Sequence, residues 1–174
     1  MSITIIGISG KKQTGKNTVA KLIQQHTKKW CIELAYGNFV KQEVAMALGI
    51  TVEHINKNKE KFRTILQWWG TELRRMDDKD YWIRKLESKL GEIMRDGKVE
   101  VVIITDVRFL NEYKYINSLG GVLVRVTRPG TYDDNHQSEI ELDKIAKWHS
   151  IIINNGTEED LVPQIKELLA IAKI

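Results

Sequence analysis

The stretch GKKQTGKNT, residues 10–18, directly follows the apolar run ITIIGI at residues 3–8. Glycines let a backbone curl so that its N–H groups converge on a phosphate. A lysine then reaches the outer phosphate oxygens, and the next helix adds the favourable end of its dipole. Gly10, Gly15 and Lys16 hold that spacing between a strand-like and a helix-like segment, so the stretch reads as a phosphate-binding loop. Position 17 departs from the pattern. The usual Ser or Thr gives a hydroxyl oxygen to Mg2+, whereas Asn17 has only a carbonyl oxygen, a hard but neutral ligand. A helix-start residue chosen for capping is the plainer reading of Asn17. Thr18 can donate to a phosphate oxygen, so the metal must lean on water, on phosphates and on a carboxylate elsewhere.

Asp106 is such a carboxylate. It comes straight after VEVVIIT, residues 99–105, the most apolar strand-like run in the chain. An acid at the carboxyl end of a parallel strand lies on the ligand edge of an open α/β sheet, where it can help hold the metal. The competing reading is a turn or capping aspartate. Arg108 and Glu112 come next in TDVRFLNE, and Asp106 and Arg108 share one direction if the strand continues. A carboxylate for metal and an arginine for phosphate charge then face the same crevice.

A third group lies in KEKFRTILQWWGTELRRM, residues 59–76. At about 100° per residue, Phe62, Ile65, Leu66, Trp69, Leu73 and Met76 form an apolar stripe. Arg63, Gln67, Gly70 and Arg74 form a second stripe about 120° away by the same arithmetic. Arginine suits a phosphate fork, glutamine can pair with a base edge, and glycine leaves room for a flat ring. A glycine in mid-helix costs about 1 kcal/mol relative to alanine, so its presence asks for a reason. A solvated polar face is the alternative.

These groups need a scaffold that brings segments distant in sequence to one edge. Strand-like runs occur at 3–8, in CIELAY, at 99–105, in VLVRVTRPG and in SIIIN, with helical patterns between them. Near-continuous apolar strands alternating with helices predict an α/β fold: a parallel sheet of about five strands flanked by helices. FVKQEVAMALGI reads as a helix closing at Gly49, and residues 138–148 as a helix. The alternation fails between about 50 and 95, where one helix succeeds another, as an inserted helical segment would. With 174 residues, 42% hydrophobic and 29% charged, and no linker-like stretch, a single domain is expected. The single cysteine, Cys31, excludes an intramolecular disulfide and a Cys-rich zinc site and fits a reducing compartment. Neither a secretory leader nor a membrane span is read, which points to the cytoplasm. The formal charge of +4 suits nucleotide phosphates, and no Lys/Arg-rich run marks a nucleic-acid tail, so no stable nucleic-acid partner is expected.

In order and spacing, GKKQTGKNTVA, AYGNFVKQEVA, LQWWGTELRR, TDVRFLNE, RPG with HQSE after it, and NNGTEEDL resemble the phage-type deoxynucleoside monophosphate kinases, within the P-loop nucleoside monophosphate kinase group. The resemblance spans nearly the whole chain. That family often carries Asp where Asn17 stands. The resemblance implies a P-loop kinase domain over 1–174, with a core of 1–37, 97–127 and 139–174, a helical acceptor-binding insertion at 38–96 and a lid at 128–138. It implies transfer of the γ-phosphoryl of ATP to a deoxynucleoside 5′-monophosphate with Mg2+, in a host cytoplasm if phage-encoded. Gly10, Lys12, Thr14, Gly15, Lys16, Asn17, Thr18 and Asn155 would hold ATP. Lys41, Arg63, Gln67, Gly70, Arg74, Asp106, Arg108 and Glu139 would hold the acceptor. Asp106 and Asn17 would serve the metal, and Lys16, Arg108 and Arg128 the transfer itself. Ser138 reads as the cap of the next helix, with Glu141 closing the box. The family is often dimeric, and the Trp68–Trp69 pair could serve a homodimer. Alternative readings are another small-molecule P-loop kinase, such as a dephospho-coenzyme A kinase, a nucleotide-binding module without catalysis, and a basic DNA-binding protein with stacking tryptophans.

Overall fold

A computed structural model describes residues 3–130 and 136–174. Its strands are β1 (Thr4–Ser9), β2 (Cys31–Leu34), β3 (Val101–Val107), β4 (Val122–Thr127) and β5 (Ser150–Ile153). They form one five-stranded parallel sheet in the order β2-β3-β1-β4-β5. The helices are α1 (Lys16–His26), α2 (Tyr36–Leu48), α3 (Val52–Lys57), α4 (Lys59–Gln67), α5 (Arg74–Asp77), α6 (Tyr81–Asp96), α7 (Leu110–Ser118), α8 (Gln137–Ile140) and α9 (Glu158–Ala172). This is the P-loop kinase-type α/β architecture expected from the alternation of apolar strands and helices.

The sheet is buried because its strands are apolar on both faces. On one face Ile6, Ile8, Ile103, Val124 and Ile152 pack with Val19 and Ile23 of α1 and Leu161, Ile165 and Leu168 of α9. On the other, β1 carries Gly7, where an added Cβ would stand 3.0 Å from both Ile116 of α7 and Leu123. β1 therefore sits at the centre, and its carboxyl end opens directly into the phosphate loop. β5 is an edge strand whose Ile151 and Ile153 are exposed. Gln164 of α9 accepts from Ile153 N at 2.9 Å and donates to Ile153 O at 3.1 Å, occupying edge groups that otherwise invite another strand.

The chain divides into two compact units, Met1–Leu34 with Gly91–Ile174, and Ala35–Leu90. In the helical unit, α2 stops at Gly49, whose φ of 64° suits a left-handed helix end, and the Thr51 side chain caps α3 by accepting from His54 N at 3.0 Å.

Two expected helices differ from the sequence pattern. Residues 59–76 do not form one α-helix: α4 passes into a π-helical turn, Trp68–Leu73, before α5 resumes. Arg74 N bonds Trp69 O, five residues back. A π turn acts as a one-residue insertion, rotating the residues beyond it by about 100°. The straight stripe from Arg63 to Arg74 is therefore broken at its last member. Residues 138–148 form only α8 and a 3-10 turn, Glu141–Lys144. His136, not Ser138, caps α8: its ring accepts from Ser138 N at 3.3 Å. Glu141 instead accepts from Leu110 N at 2.7 Å, which ties this segment to the start of α7. Among the described residues no helix is long and apolar enough to cross a membrane.

Candidate active site

The loop after β1 has the shape its glycines predict. Gly10 has a φ of 153°, and a Cβ there would fall 2.5 Å from Val126 O and 2.7 Å from Thr14 Oγ1. Gly15 has a φ of 94°, and a Cβ there would fall 2.2 Å from Asn154 Nδ2. No other residue fits either position. Buried Thr14 donates its hydroxyl to Lys11 O at 3.0 Å and so draws the loop into a ring. The Lys16 ammonium closes that ring, donating to Gly10 O at 2.7 Å and Lys11 O at 2.6 Å. Burial pulls the Lys16 pKa down to about 8. Arg108 and, more weakly, Arg125 push the same way, while Glu139 and Asp106 oppose them. All four charges act on the loop lysine.

The segment after β3 supplies two of them. Asp106 is the penultimate residue of β3, inside the strand rather than just beyond it, and Arg108 comes directly after its end. Buried Glu112 fixes the turn by accepting from Arg108 N at 2.8 Å and Phe109 N at 3.1 Å. The Arg108 guanidinium donates to Ser138 O at 3.3 Å and pairs with Glu139. Glu139 is 8% exposed, and its other oxygen accepts from Lys12 N at 2.8 Å. One carboxylate thus bridges a loop amide and an arginine, the two donor types that hold a phosphate oxygen.

Asn17 is exposed at the second position of α1, whose N-cap is Gly15, so Asn17 is not the cap. Thr18 is half-buried beside it, and Lys12 is exposed on the loop. Asn155 is exposed, whereas its neighbour Asn154 is buried and donates to Thr14 O at 2.9 Å. The residue of that pair that touches the loop is therefore Asn154. Arg128 is exposed just after β4. Of the expected lid at 128–138, residues 131–135 lie outside the described residues.

Arg125 was missed by sequence reasoning. Its guanidinium donates to Ser9 Oγ at 3.1 Å, pairs with Asp143 and lies 5.6 Å from the Trp148 ring centre. Asp143 also meets Lys11 at 3.1 Å. A single charge inside the apolar run VLVRV was the available signal.

In the helical unit, Glu43 of α2 gathers several side chains. One of its oxygens accepts from Trp69 Nε1 at 3.0 Å and Arg74 Nε at 2.8 Å, and the other accepts from the Tyr81 hydroxyl. Burial raises the Glu43 carboxyl pKa, but the bonds from Tyr81, Trp69 and Arg74 outweigh it and hold the group below its usual range. Gly70 packs against α2, since a Cβ there would stand 3.2 Å from Val40 Cγ2. Its carbonyl accepts from Trp82 Nε1 at 2.8 Å and Arg75 Nε at 3.2 Å. The glycine serves helix approach, which the reading of room for a flat ring overlooked. Arg63 and Gln67 are half-buried on α4, and Lys41 on α2 reaches Asn38 Oδ1 at 3.4 Å.

Asp106 and Asn17 are the residues that would hold a magnesium ion. Among the described residues no three His, Cys, Asp or Glu side chains gather as a metal cage. Mg2+ in phosphoryl-transfer sites uses one or two carboxylates plus phosphates and water, the oxygen chemistry that Asp106 and the Asn17 carbonyl would supply.

A phosphate loop after a central parallel strand, with an acid and an arginine at the end of the neighbouring strand, defines a P-loop kinase-type protein. The sequence profile of the phosphomevalonate kinase family matches residues 8–121. The chain belongs to that family and is a small-molecule P-loop kinase, transferring a phosphoryl group to a small acceptor. A protein of Acanthamoeba polyphaga mimivirus, provisionally named a deoxynucleotide monophosphate kinase, is 29% identical over 184 residues, covering 94% of each chain. Among solved structures, TT1252 from Thermus thermophilus aligns with a TM-score of 0.60 at 17% identity over 98% of each chain. Shikimate kinase from Aquifex aeolicus aligns with a TM-score of 0.52 at 19% identity over 96% of each. Both structures share the fold.

Proposed function

We propose that this kinase uses Mg-ATP to phosphorylate a small acceptor that is itself a monophosphate, and that the acceptor is a deoxynucleoside 5′-monophosphate. The end-to-end similarity to the mimivirus protein carries the finer reading. The family match supports a wider one, in which the acceptor is a different small molecule, with phosphomevalonate as its named example. Both named acceptors carry a phosphate, so the chemistry is shared. An acceptor phosphate oxygen is already anionic and needs no general base; positioning and cationic stabilisation supply the rate.

In this reading Lys16 and the loop amides from Gly10 to Thr18 hold the ATP phosphates, and Asn154 keeps the loop in shape. Asp106 and Asn17 hold the magnesium, which shields phosphate charge when bound. Arg108 and Arg128 meet the charge that spreads over the transferring group. Lys41, Arg63, Gln67 and Arg74 of the helical unit receive the acceptor, with Gln67 toward its base. Mg-ATP is offered with a panel of deoxynucleoside and ribonucleoside monophosphates, phosphomevalonate and dephospho-coenzyme A, and product is scored. The expected result is diphosphate formation from one or more deoxynucleoside monophosphates. Turnover of phosphomevalonate alone replaces that reading with the wider one, and turnover of dephospho-coenzyme A alone removes the phosphate acceptor.

A further inference from the structure

The π turn changes which side chains lie beside Arg74. In an α-helix, residues five apart lie about 140° apart around the axis and cannot stack. The bond from Arg74 N to Trp69 O brings this pair to one side, and the Arg74 guanidinium carbon lies 5.4 Å from the Trp69 ring centre and 5.0 Å from that of Tyr81. Glu43 takes Arg74 Nε at 2.8 Å while also accepting from Trp69 and Tyr81, so the rings and the carboxylate hold one another. What remains of the arginine is its Nη1/Nη2 end, on a side chain 38% exposed. The rings and Glu43 attract the cation, and at this exposure its outer edge keeps contact with water. A guanidinium fixed in plane and direction loses little entropy when its fork meets an oxyanion.

We propose that Arg74 is a pre-set fork for the acceptor's phosphate, and that Glu43 and Tyr81 are positioning residues that aim it. This rests on the reading of the acceptor as a monophosphate. A carboxylate this near an anion site has two opposite consequences. If Glu43 merely opposes the anion, its removal tightens binding; if it aims the fork, its removal weakens binding. Glutamine separates the two. Its carbonyl can accept from Trp69 and Arg74 and its amide can donate to the Tyr81 oxygen, so the bonds that aim the fork survive while the charge and the Lys85 ion pair at 3.4 Å are lost.

The test uses the full chain and two readouts. Arg74→Lys and Glu43→Ala are expected to raise the acceptor KM about tenfold or more at constant ATP KM, with Glu43→Gln within about twofold of wild type. Tyr81→Phe, which keeps the ring, is expected to raise the acceptor KM about threefold and stands in if Glu43→Ala fails to fold. In the second readout, inorganic phosphate is titrated against the Arg74 Nε–H NMR signal, assigned by its loss in Arg74→Lys, and the signal is expected to shift. A lower acceptor KM in Glu43→Ala, a changed ATP KM alone, or an Arg74 signal indifferent to saturating phosphate overturns the proposal. If no monophosphate is turned over yet the Arg74 signal responds, the acceptor reading fails and the fork stands.

Discussion

Lys16 combines two demands, burial and a positive charge. Its pKa falls from an ordinary 10.5 to about 8. Between those values the unfolded chain binds more protons than the folded one, so this group's contribution makes stability rise with pH across that window. The cost of burying its charge is fully present below about pH 8. Nucleotide binding works in the opposite sense, because phosphates favour the ammonium. ATP affinity is therefore expected to weaken as pH rises above about 8, by up to about tenfold per unit, and Lys16→Arg should flatten the profile. Calorimetric titrations from pH 7 to 9.5 in buffers of different ionisation enthalpy check this; a flat Kd without proton uptake contradicts it. The shape of the loop around Lys16 was legible because Gly10, Gly15 and Lys16 are set by local spacing. Asn154 was not singled out, because two adjacent asparagines look alike in NNGT. The period of two in β5, which buries Ile152 and therefore Asn154, was the discriminating clue.

At the scale of elements, the strands were readable because each is a short apolar run closed by turn residues. The π turn was not. Helical periodicity assumes a constant rotation per residue, and here partners distant in sequence, Glu43 and Tyr81, reward a local departure from it. Gly70 shows the consequence. Read as part of a regular helix, replacement by a larger residue adds helix propensity; read against Val40, it overfills a contact. Gly70→Leu is expected to destabilise the helical unit by about 1–3 kcal/mol, with Gly70→Ala much milder. Thermal melts of both variants check this, and a leucine variant more stable than wild type contradicts the packing assignment.

At the scale of the whole molecule, the order β2-β3-β1-β4-β5 was not legible, because parallel neighbours are chosen by crossover connections rather than by local pattern. That order places the loop after β1 beside Asn154, 140 residues after Thr14. Asn154→Asp, which turns a donor toward Thr14 O into an acceptor, is expected to weaken ATP binding about tenfold or more while the sheet stays folded. A titration showing wild-type affinity contradicts the role of Asn154. The same topology has a consequence during synthesis. Thr4 pairs with Val101 and Ile6 with Val122, so β1 leaves the ribosome long before either neighbour exists. At about 5–20 residues per second, the wait from Thr14 to Asn154 is about 7–30 s. The phosphate loop is thus translated well before the residue that completes it. Full ATP affinity therefore waits for Asn154, and over that interval the apolar β1 strand first lacks both of its sheet neighbours.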